Sequence, residues 1–262
     1  MLHKSNRRTF LKSSALAGLV PAFGYEPALT DRLTADSDRD TGLVFLFQGD
    51  SITDGNRGRS TDPNHIMGHG YAFSIASRIG ADFPDRDFIF YNRGISGNKL
   101  TDLQKRWTAD TLDLKPDVLS ILIGINDTAA TIDKPNEATT SAQFETIFRS
   151  LLQESRRIKP DILFVLGIPF VYPVGKRKEN WEQWRDDIAA RQLVIRRLAV
   201  EFNAVLVDYP AVLDKAISRK NAEYCVWDGI HPTVSAHELM AREWMKQVSH
   251  RLKFLRKYKS FD

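Results

Sequence analysis

Leu43-Val44-Phe45-Leu46-Phe47-Gln48 opens the folded part of the chain, and Gly49-Asp50-Ser51-Ile52-Thr53-Asp54-Gly55 follows without a break. The first six residues read as a strand covered on both faces, because their apolar character is almost continuous. In α/β folds the crevice lies beyond the carboxyl ends of the strands, which is where Ser51 would stand. Gly-Asp-Ser alone also suits an ordinary turn, since all three residue types favour turns. Its meaning therefore depends on whether other segments bring a base, an orienting acid and oxyanion donors to the same edge.

Beyond residue 43, short apolar runs alternate with longer amphipathic ones. Strands are expected at 43–48, 87–92, 117–123, 161–167 and 204–208, with helices near 69–80, 100–113, 140–158, 181–202 and 234–254. Lys115-Pro116-Asp117 and Lys159-Pro160-Asp161 each stop a helix before a new strand. This alternation predicts an α/β fold, a three-layer α/β/α sandwich on five parallel strands. By analogy with flavodoxin-like sheets, the expected strand order is 2-1-3-4-5. Strand 2 then ends at Arg93-Gly94 and strand 3 at Gly124-Ile125-Asn126-Asp127, on the edge that holds Ser51.

Composition bounds the function classes. The 262 residues fit one large α/β domain, and a single cysteine, Cys225, forms no internal disulfide and no cysteine metal cluster. Cys225 reads as a small buried residue. The formal net charge is +4, yet residues 1–25 hold four of the 37 basic side chains and no acid. The remainder balances 33 basic residues against 33 acidic ones, so no nucleic-acid partner is expected. Asn6-Arg7-Arg8-Thr9-Phe10-Leu11-Lys12 resembles a twin-arginine export signal, with Asn6 where Ser or Thr is usual. The apolar stretch from Ser13 to Phe23 is too short to span a bilayer, and Ala22-Phe23-Gly24 offers a small-x-small cleavage site. The expected organisation is an export signal over 1–25, a linker over 26–41 and one domain over 42–262. The protein is accordingly expected outside the cytoplasm, in a bacterial periplasm or secreted, with no stable membrane anchor.

Serine is a poor nucleophile at its free pKa and needs a neighbouring base held in one tautomer. Of six histidines, two have a carboxylate three residues earlier, His65 after Asp62 and His231 after Asp228, and only His231 has it in a Gly-containing, Pro-terminated loop, Asp228-Gly229-Ile230-His231-Pro232. That spacing lets Asp228 fold back onto one ring nitrogen while the other faces outward. Oxyanion donors are available from the backbone amide of Gly94, the side chain of Asn126 and the amide of Ser51. Gly94 also fits a plain turn and Asn126 a helix cap. Ser96, in Gly94-Ile95-Ser96-Gly97, lacks the Gly-x-Ser-x-Gly frame of a nucleophile elbow and reads as a residue that holds the glycine turn.

Gly49-Asp50-Ser51, Gly94 within Asn92-Arg93-Gly94-Ile95-Ser96-Gly97-Asn98, Asn126 within Gly124-Ile125-Asn126-Asp127, and Asp228-x-x-His231 resemble the four blocks of the SGNH, or GDSL-type, hydrolases. They stand in the family's order. The resemblance implies the SGNH hydrolase fold, Ser51 as nucleophile, His231 as general base and Asp228 as its orienter. It likewise implies an oxyanion hole of Ser51, Gly94 and Asn126. Ile52 replaces the Leu of the family's name. The run Gly49–Asp54 is similar to bacterial acetyl-xylan esterases of this superfamily, as are Gly68-His69-Gly70-Tyr71, Ser96-Gly97-Asn98, Arg106-Trp107 and Leu112–Asp117.

The function expected from this resemblance is an exported serine esterase that removes acetyl or other short acyl groups from a carbohydrate through an acyl-enzyme. The alternative is a lysophospholipase or thioesterase on the same fold, against which the polar 52–70 loop argues. A sugar-binding module without catalysis is the non-enzymatic reading. Trp107 and Trp227 are the substrate-binding candidates, Trp227 foremost because it adjoins Asp228; Trp181, Trp184 and Tyr172 could also stack on a sugar, although helically spaced tryptophans commonly just pack. Asp54 and Arg59 could shape the pocket mouth. His65 and His69 have metal-like spacing but no carboxylate cluster to complete a site, so neither a metal nor another cofactor is expected. The resemblance also allows a homo-oligomer.

Overall fold

The computed structural model describes residues 40–260, and the expected export signal and nearly all of the linker lie outside them. Five parallel strands form one sheet: β1 (Val44–Gly49), β2 (Ile89–Asn92), β3 (Val118–Leu122), β4 (Leu163–Gly167) and β5 (Val205–Val207). Their spatial order is β2-β1-β3-β4-β5, as expected. Gly49 at the end of β1 pairs with Leu122 at the end of β3, so the two following turns leave the sheet side by side.

Side chains alternate across the sheet because the strand repeat is two residues. Phe45 and Phe47 face one layer, where α2 (Tyr71–Asp82) and α9 (Val234–Val248) bury Ile75, Ile79, Met240 and Trp244. Leu46, Leu119 and Ile121 face the other, formed by α3 (Leu100–Trp107), α5 (Ser141–Ile158) and α6 (Trp181–Glu201). The result is the three-layer α/β/α sandwich. No helix among the described residues is long and apolar enough to cross a membrane.

Several boundaries differ from the sequence expectation, each for a local reason. Strand β2 starts at Ile89 because Asp87 takes a left-handed conformation (φ 51°) that closes a 3₁₀ turn at Pro84–Arg86. The helix expected over 100–113 is α-helical only to Trp107 and continues as one π turn, Thr108–Leu112. The last helix stops at Val248, and a separate 3₁₀ segment spans Lys253–Tyr258. Four helices were not expected: α1 (Ser51–Asp54), α4 (Ile125–Asp133), α7 (Tyr209–Ile217) and α8 (Ala222–Cys225). Two of them, α1 and α4, carry site residues.

Candidate active site

Where β1 ends, Asp50 turns the chain into the single-turn helix α1. Its side chain caps that helix by accepting a hydrogen bond from Ile52 N at 3.0 Å, and Ser51 becomes the first helical residue. Asp50 is buried, and burial pushes its carboxyl up to about 7, with nearby Asp127 adding repulsion. Behind α1, Thr53 Oγ1 and Tyr71 Oη share a 2.9 Å bond. His237 Nδ1 accepts from Tyr71 N at 3.1 Å, so an imidazole caps α2 where Gly70 has no side chain to do so. Burial lowers His237 to about 4, which keeps it neutral and able to accept.

The acid–base pair sits on a loop closed upon itself. An isolated antiparallel bridge joins Val226 to Pro232, with Trp227 N donating to His231 O at 3.2 Å and Thr233 N to Cys225 O at 2.9 Å. Within it, Asp228 Oδ1 accepts from Ile230 N and His231 N at 2.9 and 2.8 Å. Asp228 Oδ2 bonds His231 Nδ1 at 2.7 Å, and His231 Nε2 reaches Ser51 Oγ at 2.8 Å. Burial alone would raise the Asp228 carboxyl, but hydrogen bonds from His231 and Ile230 outweigh it and hold the group below its ordinary value. An ionised Asp228 requires the proton on Nδ1, which leaves Nε2 to accept from the Ser51 hydroxyl. Ser51, His231 and Asp228 are thus brought together as the sequence led us to expect.

The oxyanion donors differ in one member. The Gly94 N–H donates to Asn92 Oδ1 at 3.0 Å and is not offered to a ligand. A Cβ at Gly94 would stand 2.4 Å from Asp54 N, so this glycine serves the close approach of the turn to α1. Three residues on, Gly97 adopts φ +82° with open space at its Cβ position, and no hydrogen bond from its N–H is made among the described residues. Gly97 and Asn126 line the same cavity of about 210 Å³, together with Lys99, Lys134 and Glu137. Asn126 Nδ2 spends one proton on the Asn98 carbonyl at 3.1 Å, which orients the amide and leaves its second proton available.

A dense network holds that turn in place. Asn92 Nδ2 donates to Thr53 O at 2.7 Å and Met67 O at 2.9 Å. Arg106 fixes Asn98 through Oδ1 at 2.9 Å and also reaches Gln48 Oε1, Arg93 O and Asp110 Oδ2. Ser96 donates N–H and Oγ–H to Asp54 Oδ2 at 3.0 and 2.9 Å, the turn-holding role expected of it. Fully buried Arg191 of α6 bonds the Asp127 and Thr139 carbonyls and so anchors α4, which carries Asn126.

The two tryptophan candidates separate. Trp107 is buried in the layer of α3 and α5, its indole N–H given to Ser155 Oγ at 3.2 Å, and it has no surface to offer a substrate. Its position on the apolar face of α3 explains this. Trp227 is 62% exposed and stacks on His231, with ring centroids 6.2 Å apart and planes 24° apart. Trp184 packs beneath Arg177, Cys225 is buried in the core, and Asp54 pairs with Arg59 at 2.7 Å.

The model of the GDSL-like lipase/acylhydrolase family matches residues 47–239, a span that contains every one of these groups. An acetylxylan esterase from Geobacillus stearothermophilus is 31% identical over 213 residues, which cover 79% of this chain and 94% of that protein. Among solved structures, a GDSL-like lipase from Parabacteroides merdae superimposes with a TM-score of 0.76 at 35% identity, over 80% of this chain and 97% of the other. A variant of an acetyl xylan esterase from Geobacillus stearothermophilus does so with a TM-score of 0.70 at 31% identity, over 79% and 95%.

Proposed function

The chain belongs to the GDSL-like lipase/acylhydrolase family and is a carboxylic ester hydrolase; on that premise we propose an exported serine esterase that removes acetyl groups from an acetylated carbohydrate. The observation that carries the mechanism is the unbroken chain from Ser51 Oγ through His231 to Asp228, at 2.8 and 2.7 Å. Ser51 Oγ attacks the ester carbonyl while its proton passes to His231 Nε2. Asp228 steadies the imidazolium that forms. The carbonyl oxygen, now negative, takes hydrogen bonds from the Ser51 and Gly97 amides and from Asn126 Nδ2, donors already fixed before the reaction. Collapse breaks the bond to the sugar oxygen, which leaves with the proton held by His231. Water then attacks the acetyl-Ser51 ester, giving its proton to His231, and acetate departs as the proton returns to Ser51.

Two features support a short acyl group on a sugar. The cavity beside Gly97 and Asn126 is lined by four charged side chains, Lys99, Asp133, Lys134 and Glu137, with only Ala129 and Ala130 as apolar wall, where a long alkyl chain would need a larger apolar surface. Exposed Trp227, stacked next to the base, offers a flat face for a sugar ring. The similarity to an acetylxylan esterase points the same way. Export rests on Arg7-Arg8 and the short apolar stretch after it, all outside the described residues.

Turnover of p-nitrophenyl acetate, p-nitrophenyl decanoate and acetylated xylo-oligosaccharides by the leaderless protein tests the substrate class. Acetate release from the oligosaccharide and a preference for the acetyl over the decanoyl ester are expected. Faster cleavage of the decanoyl ester would replace this proposal with the lysophospholipase or thioesterase alternative.

A further inference from the structure

Next to the segment that leads into the oxyanion turn lies a second cavity, of about 350 Å³. It is walled by Arg57, Arg59 and Arg93, by the hydroxyl residues Ser60 and Thr61, and by Phe90 and Tyr91 of edge strand β2. Its lining holds three guanidinium groups and no carboxylate. Among the described residues only Arg59 of the three forms a direct ion pair: it forks onto Asp54, Nη1 to Oδ1 at 2.9 Å and Nη2 to Oδ2 at 2.7 Å. Arg57 uses Nε on the Gly94 carbonyl at 3.0 Å, which aims the rest of its fork elsewhere. Arg93 Nε is buried with no hydrogen-bond partner among the described residues, and its guanidinium lies 5.7 Å over the Tyr91 ring.

Such an arrangement costs free energy in the empty protein. A buried, unsatisfied donor on a cation is among the more expensive polar defects, and the like charges beside it add a smaller, solvent-screened repulsion, since Arg59 is half exposed. Burial pulls the Arg57 guanidinium down to about 10; neighbouring Arg59 and Arg93 push in the same direction, while Asp54 and Asp110 oppose them. An anion entering the cavity relieves both costs. Planar forks suit a carboxylate, which two guanidinium groups can hold through paired charge-assisted hydrogen bonds. The remaining wall, hydroxyls beside two aromatic rings, suits a sugar ring with its apolar face and polar edge.

We infer that the Arg57–Arg59–Arg93 cavity binds a hexuronate, a sugar ring bearing a carboxylate, within the acylated carbohydrate on which the enzyme acts. This inference rests on the carbohydrate reading of the catalytic site, and it adds the charge of a neighbouring sugar unit to it. The two sites are physically joined: Asp54, held by Arg59, also holds Ser96, the residue before Gly97.

Direct titration separates this inference from the esterase proposal because it needs no turnover. Wild-type protein is titrated calorimetrically with methyl β-glucuronoside, methyl β-glucoside and inorganic phosphate, and the glucuronoside titration is repeated at high salt. The glucuronoside is expected to bind about tenfold or more tightly than the glucoside, as charge-assisted hydrogen bonds imply, and to weaken as salt rises. Arg93→Gln should abolish the difference between the two sugars. Where that variant melts well below wild type, the Arg93 Nε–H resonance of the wild-type protein replaces it, and this signal should shift with the glucuronoside and not with the glucoside. Equal affinity for the two sugars would overturn the inference, as would inorganic phosphate binding as tightly as the glucuronoside. Failure to hydrolyse p-nitrophenyl acetate would refute the esterase and leave the binding result standing.

Discussion

Asp54→Asn probes how the nucleophile's helix is tied to the oxyanion turn. The wild-type carboxylate accepts five hydrogen bonds, from Arg57 N, two Arg59 nitrogens, Ser96 N and Ser96 Oγ. An amide has one oxygen, so whichever way it is turned, at least two of those donors face an N–H₂ group and lose their acceptor. At about 1–3 kcal/mol for each donor left unsatisfied, the loss would approach 4 kcal/mol. Arg59 is half exposed and can turn to water, which brings the expected destabilisation to about 2–3 kcal/mol. The kinetic effect should fall on kcat, because a displaced Ser96 carries Gly97 with it, and a lost oxyanion donor costs up to about 10²–10³. A decrease in kcat of roughly tenfold to a hundredfold on p-nitrophenyl acetate, with little change in KM, is expected. The pH dependence supplies a second readout. Burial would raise the Asp54 carboxyl, but bonds from Arg59 and Ser96 outweigh it and place it below 3.8 in the folded state. The stabilisation it provides is therefore fully present above that value and is lost as pH falls through the lower, folded one. Urea denaturation at pH 7 and pH 3 should show the gap between wild type and variant narrowing in acid. A variant with wild-type kcat and the same stability deficit at both pH values would refute the coupling of α1 to the turn.

Ser51→Ala and His231→Ala should each remove most of kcat, on the order of 10⁶-fold where such groups act as a unit, and near-normal turnover by either would dismiss the mechanism. Asn126→Ala should lower kcat by about 10²–10³ with a smaller effect on KM, so a change confined to KM would deny it the oxyanion. Trp227→Ala should raise KM for an acetylated oligosaccharide while leaving the melting temperature nearly unchanged. Trp107→Ala should instead cost about 3–5 kcal/mol of stability by leaving a core cavity, and the reverse pattern would contradict their placement. Asp50→Asn should level the stability profile between about pH 4 and 7. Burial raises Asp50 from 3.8 to about 7, so its contribution is fully present below 3.8, falls progressively as pH rises, and is lost once pH passes 7. Parallel stability profiles of wild type and variant across about pH 4–7 would count against that burial.

The sheet was legible because its strands are covered on both faces and therefore read as unbroken apolar runs bounded by Pro, Gly and Asp. Asp228 and His231 were legible as a pair because their three-residue spacing carries their geometry, whereas Ser51, 180 residues from His231, was singled out by the resemblance of the four blocks. Helix α4 was not, since Gly124-Ile125-Asn126-Asp127 has the composition of a turn and the helix is held from outside, by Arg191. Helix α7 begins Tyr209-Pro210, where proline at the helix start looks the same in sequence as a loop. Gly94 and Gly97 are chemically alike, and which amide is free depends on the Asn92 side chain folding back onto one of them. That is tertiary information. Trp107 was misplaced for the same reason: an aromatic beside a motif arginine does not announce which side of its helix meets the core.

The bridge between Val226 and Pro232 has a mechanical consequence. His231 and Asp228 are mounted on one clip whose shape is set by its own backbone bonds, and Ser51 on α1, and the two meet where His231 Nε2 reaches Ser51 Oγ. A disturbance in α9 or in the core beneath it would swing the imidazole and its carboxylate together. The damaged enzyme would keep a correctly wired histidine that no longer reaches its serine. Distant lesions in this protein should consequently register as a lengthened Ser51–His231 contact, with the Asp228–His231 pairing unaltered.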